Sequence, residues 1–175
     1  MTDKISQQAK NQNLTRFIVF NGIVAALYVV LTYLLAPISY GPIQARISEA
    51  MTVFPIFSFN MIPGVTIGCL ISNLINPDNL GPVDIIGGTL ATLIAGIFSR
   101  LIGKKNIWLG IIPPIVFNGL IVGGYLPFLI METVTWQEVL FTMLTVAAGE
   151  AAVLVVLGLP LVAVIGKTGL KKKLP

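Results

Sequence analysis

The sequence predicts an all-α integral membrane protein, a six-transmembrane-helix bundle with both termini cytoplasmic. Three observations carry that prediction. The 175 residues are 55% hydrophobic and 10% charged, with mean hydropathy +0.91. Soluble domains carry about a quarter charged residues, so too few charges remain here to cover a water-facing surface, and lipid is the expected solvent. Breakers and polar clusters divide the chain into six apolar segments. Ten of the eleven Lys and Arg residues fall into three groups that an even number of spans places on one side; the positive-inside rule makes that side cytoplasmic.

The first segment, residues 15–36, follows a polar N-terminal stretch, 1–14, that does not read as a signal peptide. Lys4, Lys10 and Arg16 precede it. The second and third segments, 48–62 and 63–76, are short for a hydrocarbon core of about 30 Å, which takes about 20 helical residues. Met61-Ile62-Pro63-Gly64 separates them, since Pro cannot continue a helix cleanly. The fourth, 83–103, starts after Gly81-Pro82 and closes on Arg100, Lys104 and Lys105. The fifth is 107–130 and the sixth 137–166, with Trp108 and Trp136 placed as interfacial anchors. A basic cytoplasmic tail, 167–175, holds Lys167, Lys171, Lys172 and Lys173. The membrane domain is thus 15–166, and the connections near 37–47, 77–82 and 131–136 face out.

Several chemistries are excluded. There is no His, hence no imidazole zinc site and no Ser-His-Asp arrangement. The one Cys, Cys69, lies in an apolar run and reads as a small core residue. Gly166-Lys167-Thr168 resembles the end of a P-loop, but Leu161 stands where the motif needs Gly and a membrane span precedes it. Small residues recur four apart, as at Gly22 and Ala26, Gly64 and Gly68, and Gly119 and Gly123. Such faces let helices approach closely in lipid, within the bundle or against a partner.

Ionisable groups within a membrane cost about 2.5–3.5 kcal/mol each on insertion scales, so their placement is informative. Glu150 lies near the middle of the sixth segment, where it either pairs with another helix or lines a wet cavity. Asn118, at similar depth, and Asn73 carry the same two readings. Asp84 either favours the dipole at the start of its helix or meets a ligand. Arg46 and Glu49, three apart, can pair with each other. Together Glu49, Asn73, Asp84, Asn118, Tyr125 and Glu150 come from five segments and lie at mid-depth or on the outer side. An outward-facing cavity lined from several helices produces that distribution. Its excess of acids over Arg46 suits a cationic or donor-rich ligand.

Two stretches carry a resemblance. Gly41-Pro42-Ile43-Gln44-Ala45-Arg46-Ile47-Ser48-Glu49-Ala50 followed by Pro55, and Gly81-Pro82-Val83-Asp84-Ile85-Ile86-Gly87-Gly88-Thr89-Leu90-Ala91-Thr92-Leu93, resemble the signatures of the QueT family of queuosine-precursor transporters. Six short spans, basic cytoplasmic ends and no ATP site resemble more broadly the substrate-binding S component of an energy-coupling-factor (ECF) transporter, an ABC-type importer. The resemblance runs from Arg16 to Gly166 and departs at Ala45 and Gly87, where a bulkier residue is expected. It implies a multi-pass protein of the cell membrane, not an enzyme, that captures a 7-deazaguanine base outside and delivers it by reorientation. It implies as partners a transmembrane coupling protein and two cytoplasmic ATPases that bind the ATP, with no cofactor on this chain. Related components hold ligand with the first outer loop and spans four to six, which maps onto Gln44, Arg46, Asp84, Asn118 and Glu150. Glu49 and Tyr125 complete the candidate set, and Gly22 and Ala26 map onto the coupling-protein interface. The other readings are an S component for a different vitamin or nucleobase-like micronutrient, a small intramembrane enzyme, or a scaffold or channel subunit.

Overall fold

A computed structural model describes residues 2–40, 46–78 and 80–175, with the side chains of 2–5 and 9 outside the description. The described residues are helical throughout, joined by short turns. Four helices are long and apolar enough to cross a membrane, and two are shorter. The long ones are α1 (Thr2–Leu34), α4 (Pro82–Gly103), α5 (Ile107–Ile130) and α6 (Trp136–Lys167). The short ones, α2 (Ile47–Phe57) and α3 (Phe59–Leu74), overlap the second and third predicted segments, but they divide at Ser58, whose extended backbone and side-chain cap make the break, and Pro63 lies inside α3. The first predicted segment is the apolar part of a longer helix, because α1 runs without a break through the polar stretch before it.

Local chemistry fixes the ends. Pro82 opens α4 after Gly81, whose φ of 82° is a conformation that a side chain would strain. Thr135 and Glu138 form a reciprocal capping box at the start of α6. Asn106 caps α5 and Ser58 caps α3 through their side-chain oxygens. Prolines interrupt α5 and α6, and each helix contains one wide π-turn, Asn118–Val122 and Leu154–Gly158. In the second, Pro160 removes a backbone donor just beyond the turn.

The long helices and α3 form a sequence of neighbours in which α1 packs on α3, α3 on α4, α4 on α5 and α5 on α6. The short α2 is inserted among them, touching α1, α4 and α6. It is a tight 3₁₀ stretch, Ile47–Val53, running into one α-turn, Phe54–Phe57. Its length is about 20 Å at the rises of those helices, too short to cross a bilayer alone. Burial inside the bundle replaces exposure to lipid: Ser48, Glu49, Ala50, Thr52, Val53, Pro55, Ile56 and Phe57 are all buried.

One end of the bundle gathers the basic residues. There Arg16 donates to the Lys173 carbonyl, and Arg100 donates to the Ile56 carbonyl at 2.9 Å. Ser58 donates to the Pro175 carbonyl oxygen, and Leu174 is buried in the core, so the basic tail is docked on the bundle. The main apolar core lies on this side and includes Val53, Ile56, Met61, Val65, Leu154 and Ile165. A smaller cluster of Ala91, Val122, Leu126 and Val146 lies among α4, α5 and α6. Trp108 and Trp136 are exposed, as interfacial anchors require.

The small-residue faces divide. A Cβ on Gly64 or Gly68 would collide with Asn21 or Tyr28 of α1, and one on Gly119 or Gly123 with Ala147 or Met143 of α6. Those four glycines serve contacts inside this chain. Gly22 and Ala26 lie instead on the exposed face of α1, and a Cβ on Gly22 would meet nothing within 4 Å.

Candidate functional site

Between the two apolar clusters lies a polar cavity. Arg46, Glu49, Cys69, Gly88, Thr92, Asn118, Val122, Val146 and Glu150 line it, one or more from each of α2 to α6 and Arg46 at the threshold of α2. The space open to the centre of a water-sized sphere is about 10 Å³, enough for one water. Anything larger than a water therefore requires the lining to part.

The tight pitch of α2 sets two of these side chains. The Glu49 N–H donates to the Arg46 carbonyl at 2.9 Å, and Thr52 Oγ1 donates to the Glu49 carbonyl at 2.7 Å. Arg46 and Glu49 do not use each other as partners, although their spacing permits it. Arg46 donates from Nε to the Ser39 carbonyl at 3.1 Å and from Nη1 to Asn73 Oδ1 at 2.9 Å. Its guanidinium lies over the Tyr40 ring, 5.2 Å from the centroid. Glu49 Oε1 accepts from the Tyr28 hydroxyl of α1. The Asn118 side chain, at the start of the π-turn in α5, meets Glu150 of α6.

A second group stands one turn nearer the start of α4. Tyr125 Oη donates to Asp84 Oδ1 at 2.8 Å, and Asn73 Nδ2 donates to the Asp84 carbonyl at 3.3 Å. Asn73 thus joins Arg46 to Asp84. Gly88 makes this crossing possible: a Cβ there would lie 2.6 Å from Asn73 Nδ2. At Gly87 it would lie 2.7 Å from the Tyr125 ring. Tyr125 occupies the space of the bulkier residue expected at Gly87.

The cavity residues leave polar atoms unmatched. Arg46 Nη2, Glu49 Oε2 and Glu150 Oε1 are buried without a hydrogen-bond partner, and so is Asp84 Oδ2 beside them. All four residues are at most 6% exposed. Such atoms cost about 1–3 kcal/mol each, more when charged, so several in one place mark a site built for something other than stability. One guanidinium faces three carboxyl groups, an arrangement that favours a ligand rich in N–H donors.

The structure thus places Arg46, Glu49, Asn118 and Glu150 around one cavity, with Asp84 and Tyr125 beside it and absent from its lining. Gln44 lies outside the described residues. Sequence reasoning missed Tyr28, Cys69 and Thr92, which are ordinary residues of apolar helices until the packing of α1, α3 and α4 turns them inward. Tyr40 reads from sequence as a loop residue unless the loop folds inward, where it could stack on a ligand. Tyr40 is buried, stacks on Arg46 and donates to the Ser72 carbonyl at 2.7 Å.

Comparison with known proteins gives this arrangement a context. Residues 18–167 match the family described as QueT transporter. A curated protein of Lactococcus lactis subsp. cremoris (strain MG1363), the queuosine precursor transporter QueT, is 49% identical over 79 residues. That alignment covers 44% of this chain and 45% of the relative, so it spans less than half the length of the curated protein. No solved structure matches the chain. With most of its length matched, this multi-pass membrane chain belongs to the QueT transporter family.

Proposed function

We propose that this chain is the membrane-embedded substrate-binding component of an ECF-type importer, and that its cargo is a queuosine precursor, a 7-deazaguanine base. The observation that carries the reading is the set of orphaned atoms at one cavity: Arg46 Nη2, Glu49 Oε2 and Glu150 Oε1, with Asp84 Oδ2 alongside. A guanine-like edge presents two adjacent N–H donors, which one carboxylate accepts together, and a ring carbonyl that a guanidinium or an amide meets. A second carboxylate suits the ammonium of an aminomethyl group. The name of the Lactococcus lactis relative points to the same substrate class.

In this reading residues 15–166 cross the membrane six times, with 1–14 and 167–175 cytoplasmic. The concentration of Arg16, Arg100 and the docked lysine-rich tail at one end supports that orientation. The apolar core of Val53, Ile56, Val65 and Leu154 then closes the cavity from the cytoplasm. Arg46, which lines the cavity at the threshold of α2, stands on the ligand's side of approach. The exposed face of α1 around Gly22 and Ala26 docks the coupling protein, and two cytoplasmic ATPases supply the energy.

Co-expression with a coupling protein and its ATPases tests the reading. The expected result is a stable co-purified complex and ATP-dependent uptake of 7-aminomethyl-7-deazaguanine into proteoliposomes. Uptake at equal rate without the ATPases contradicts it.

A further inference from the structure

We infer that Tyr28 of α1 is a positioning residue for the ligand, one that acts through Glu49 without touching the ligand itself. The inference rests on the deazaguanine reading above and adds to it a residue that neither sequence motif contains.

Tyr28 is fully buried, and its hydroxyl donates to Glu49 Oε1. The other carboxylate oxygen, Oε2, is left without a partner and Glu49 lines the cavity. One oxygen is thus tethered and its twin is free for a ligand donor. Tethering selects one rotamer of an otherwise mobile carboxylate, which lowers the ordering cost on binding.

The support behind Tyr28 is continuous. The α1 and α3 backbones approach because Gly68 faces Tyr28; a Cβ there would lie 2.7 Å from Tyr28 Cβ. One turn along α1, the Thr32 hydroxyl donates to the Tyr28 carbonyl at 2.8 Å, which leaves its oxygen to accept from Ser48 Oγ of α2 at 2.6 Å. From the other side Thr52 holds the Glu49 backbone. These groups fix α1 against the 3₁₀ stretch of α2 at the residue that carries the carboxylate.

A double-mutant cycle tests it, using the purified full chain and 7-aminomethyl-7-deazaguanine, followed by calorimetric titration. Tyr28→Phe keeps the ring and removes only the tether. It is expected to weaken binding about 10-fold, the size of one hydrogen bond to a charged group, while changing affinity less than about two-fold in a Glu49→Ala background, which has no acceptor for the tether. If Glu49→Ala binds too weakly to titrate, Glu49→Asp, whose shorter side chain withdraws from the tether, takes its place in the cycle. Equal losses in both backgrounds would mean that Tyr28 is only a packing residue, and no loss in the wild-type background would remove it altogether. Wild-type protein that is folded and binds no deazaguanine overturns the functional reading, and this inference with it. Binding by the wild type with an additive cycle overturns this inference alone.

Discussion

Glu150 shows how a single residue is set against stability in this chain. It is 5% exposed, has one carboxylate oxygen unmatched and shares a small cavity with Glu49. Replacing a buried, partly satisfied carboxyl by its neutral isostere removes a desolvation cost, so Glu150→Gln is expected to leave the fold intact or raise its melting temperature. The same change is expected to weaken deazaguanine binding ~10–100-fold, the range for about 1.5–3 kcal/mol in one charge-assisted bond. Thermal unfolding and titration of the same preparation check both halves. A destabilised variant with unchanged affinity would make Glu150 a structural strut. Gly88→Ala is a complementary case, since the new Cβ falls 2.6 Å from the amide of Asn73. It is expected to displace Asn73 from Arg46, costing about 1–3 kcal/mol of stability and most of the affinity.

At the scale of elements, the small-residue faces separate by what lies opposite them. A Cβ on Gly123 would sit 2.6 Å from Met143 Cα, and backbone cannot move aside as a side-chain tip can. Gly123→Ala is therefore expected to destabilise the α5–α6 pair by about 1–3 kcal/mol. Gly22 faces open space on α1, so Gly22→Leu is expected to change the chain's own stability by less than about 0.5 kcal/mol. If this face docks the proposed coupling protein, the change is expected instead to abolish co-purification with it, which pull-down against a tagged partner measures. Much at this scale was legible in the sequence. Pro82 and the basic groups that close α4 and α6 mark helix ends through local chemistry that needs no tertiary knowledge, whereas Pro63 lies inside α3 and the break falls at Ser58. The inward fold of α2 was left open by the sequence, because so short an apolar run is compatible with tilting, with shielding by neighbours or with incomplete spanning. What decides it is that α1, α4 and α6 close around Ser48, Glu49 and Thr52.

The same limit governs the site as a whole. Arg46, Glu49, Asn118 and Glu150 were conspicuous because polar groups are costly in apolar segments, and they line one cavity. Tyr28 and Cys69 were silent, since each is common in apolar helices and its role depends on which neighbour it faces; Thr92 stands in the second signature, but nothing there gave it a role. The π-turn that begins at Asn118 was silent too, because no residue type encodes it. For the molecule in its membrane, buried Cys69 is the sole native thiol and leaves the surface free for reporters. On the proposed orientation, with both termini cytoplasmic, Thr133→Cys is expected to react with an impermeant maleimide on intact cells. Lys105→Cys, likewise exposed, is expected to react only after permeabilisation. The reverse pattern would invert the orientation.

The central claim is that the orphaned polar atoms of Arg46, Glu49 and Glu150 form a binding site for a deazaguanine base. Titration of the purified, folded chain with 7-aminomethyl-7-deazaguanine, 7-cyano-7-deazaguanine, guanine and riboflavin tests it most directly. Saturable one-to-one binding of at least one deazaguanine, tighter than guanine, and none of riboflavin is the expected result. Binding of riboflavin in preference, or of no deazaguanine at all, would contradict it.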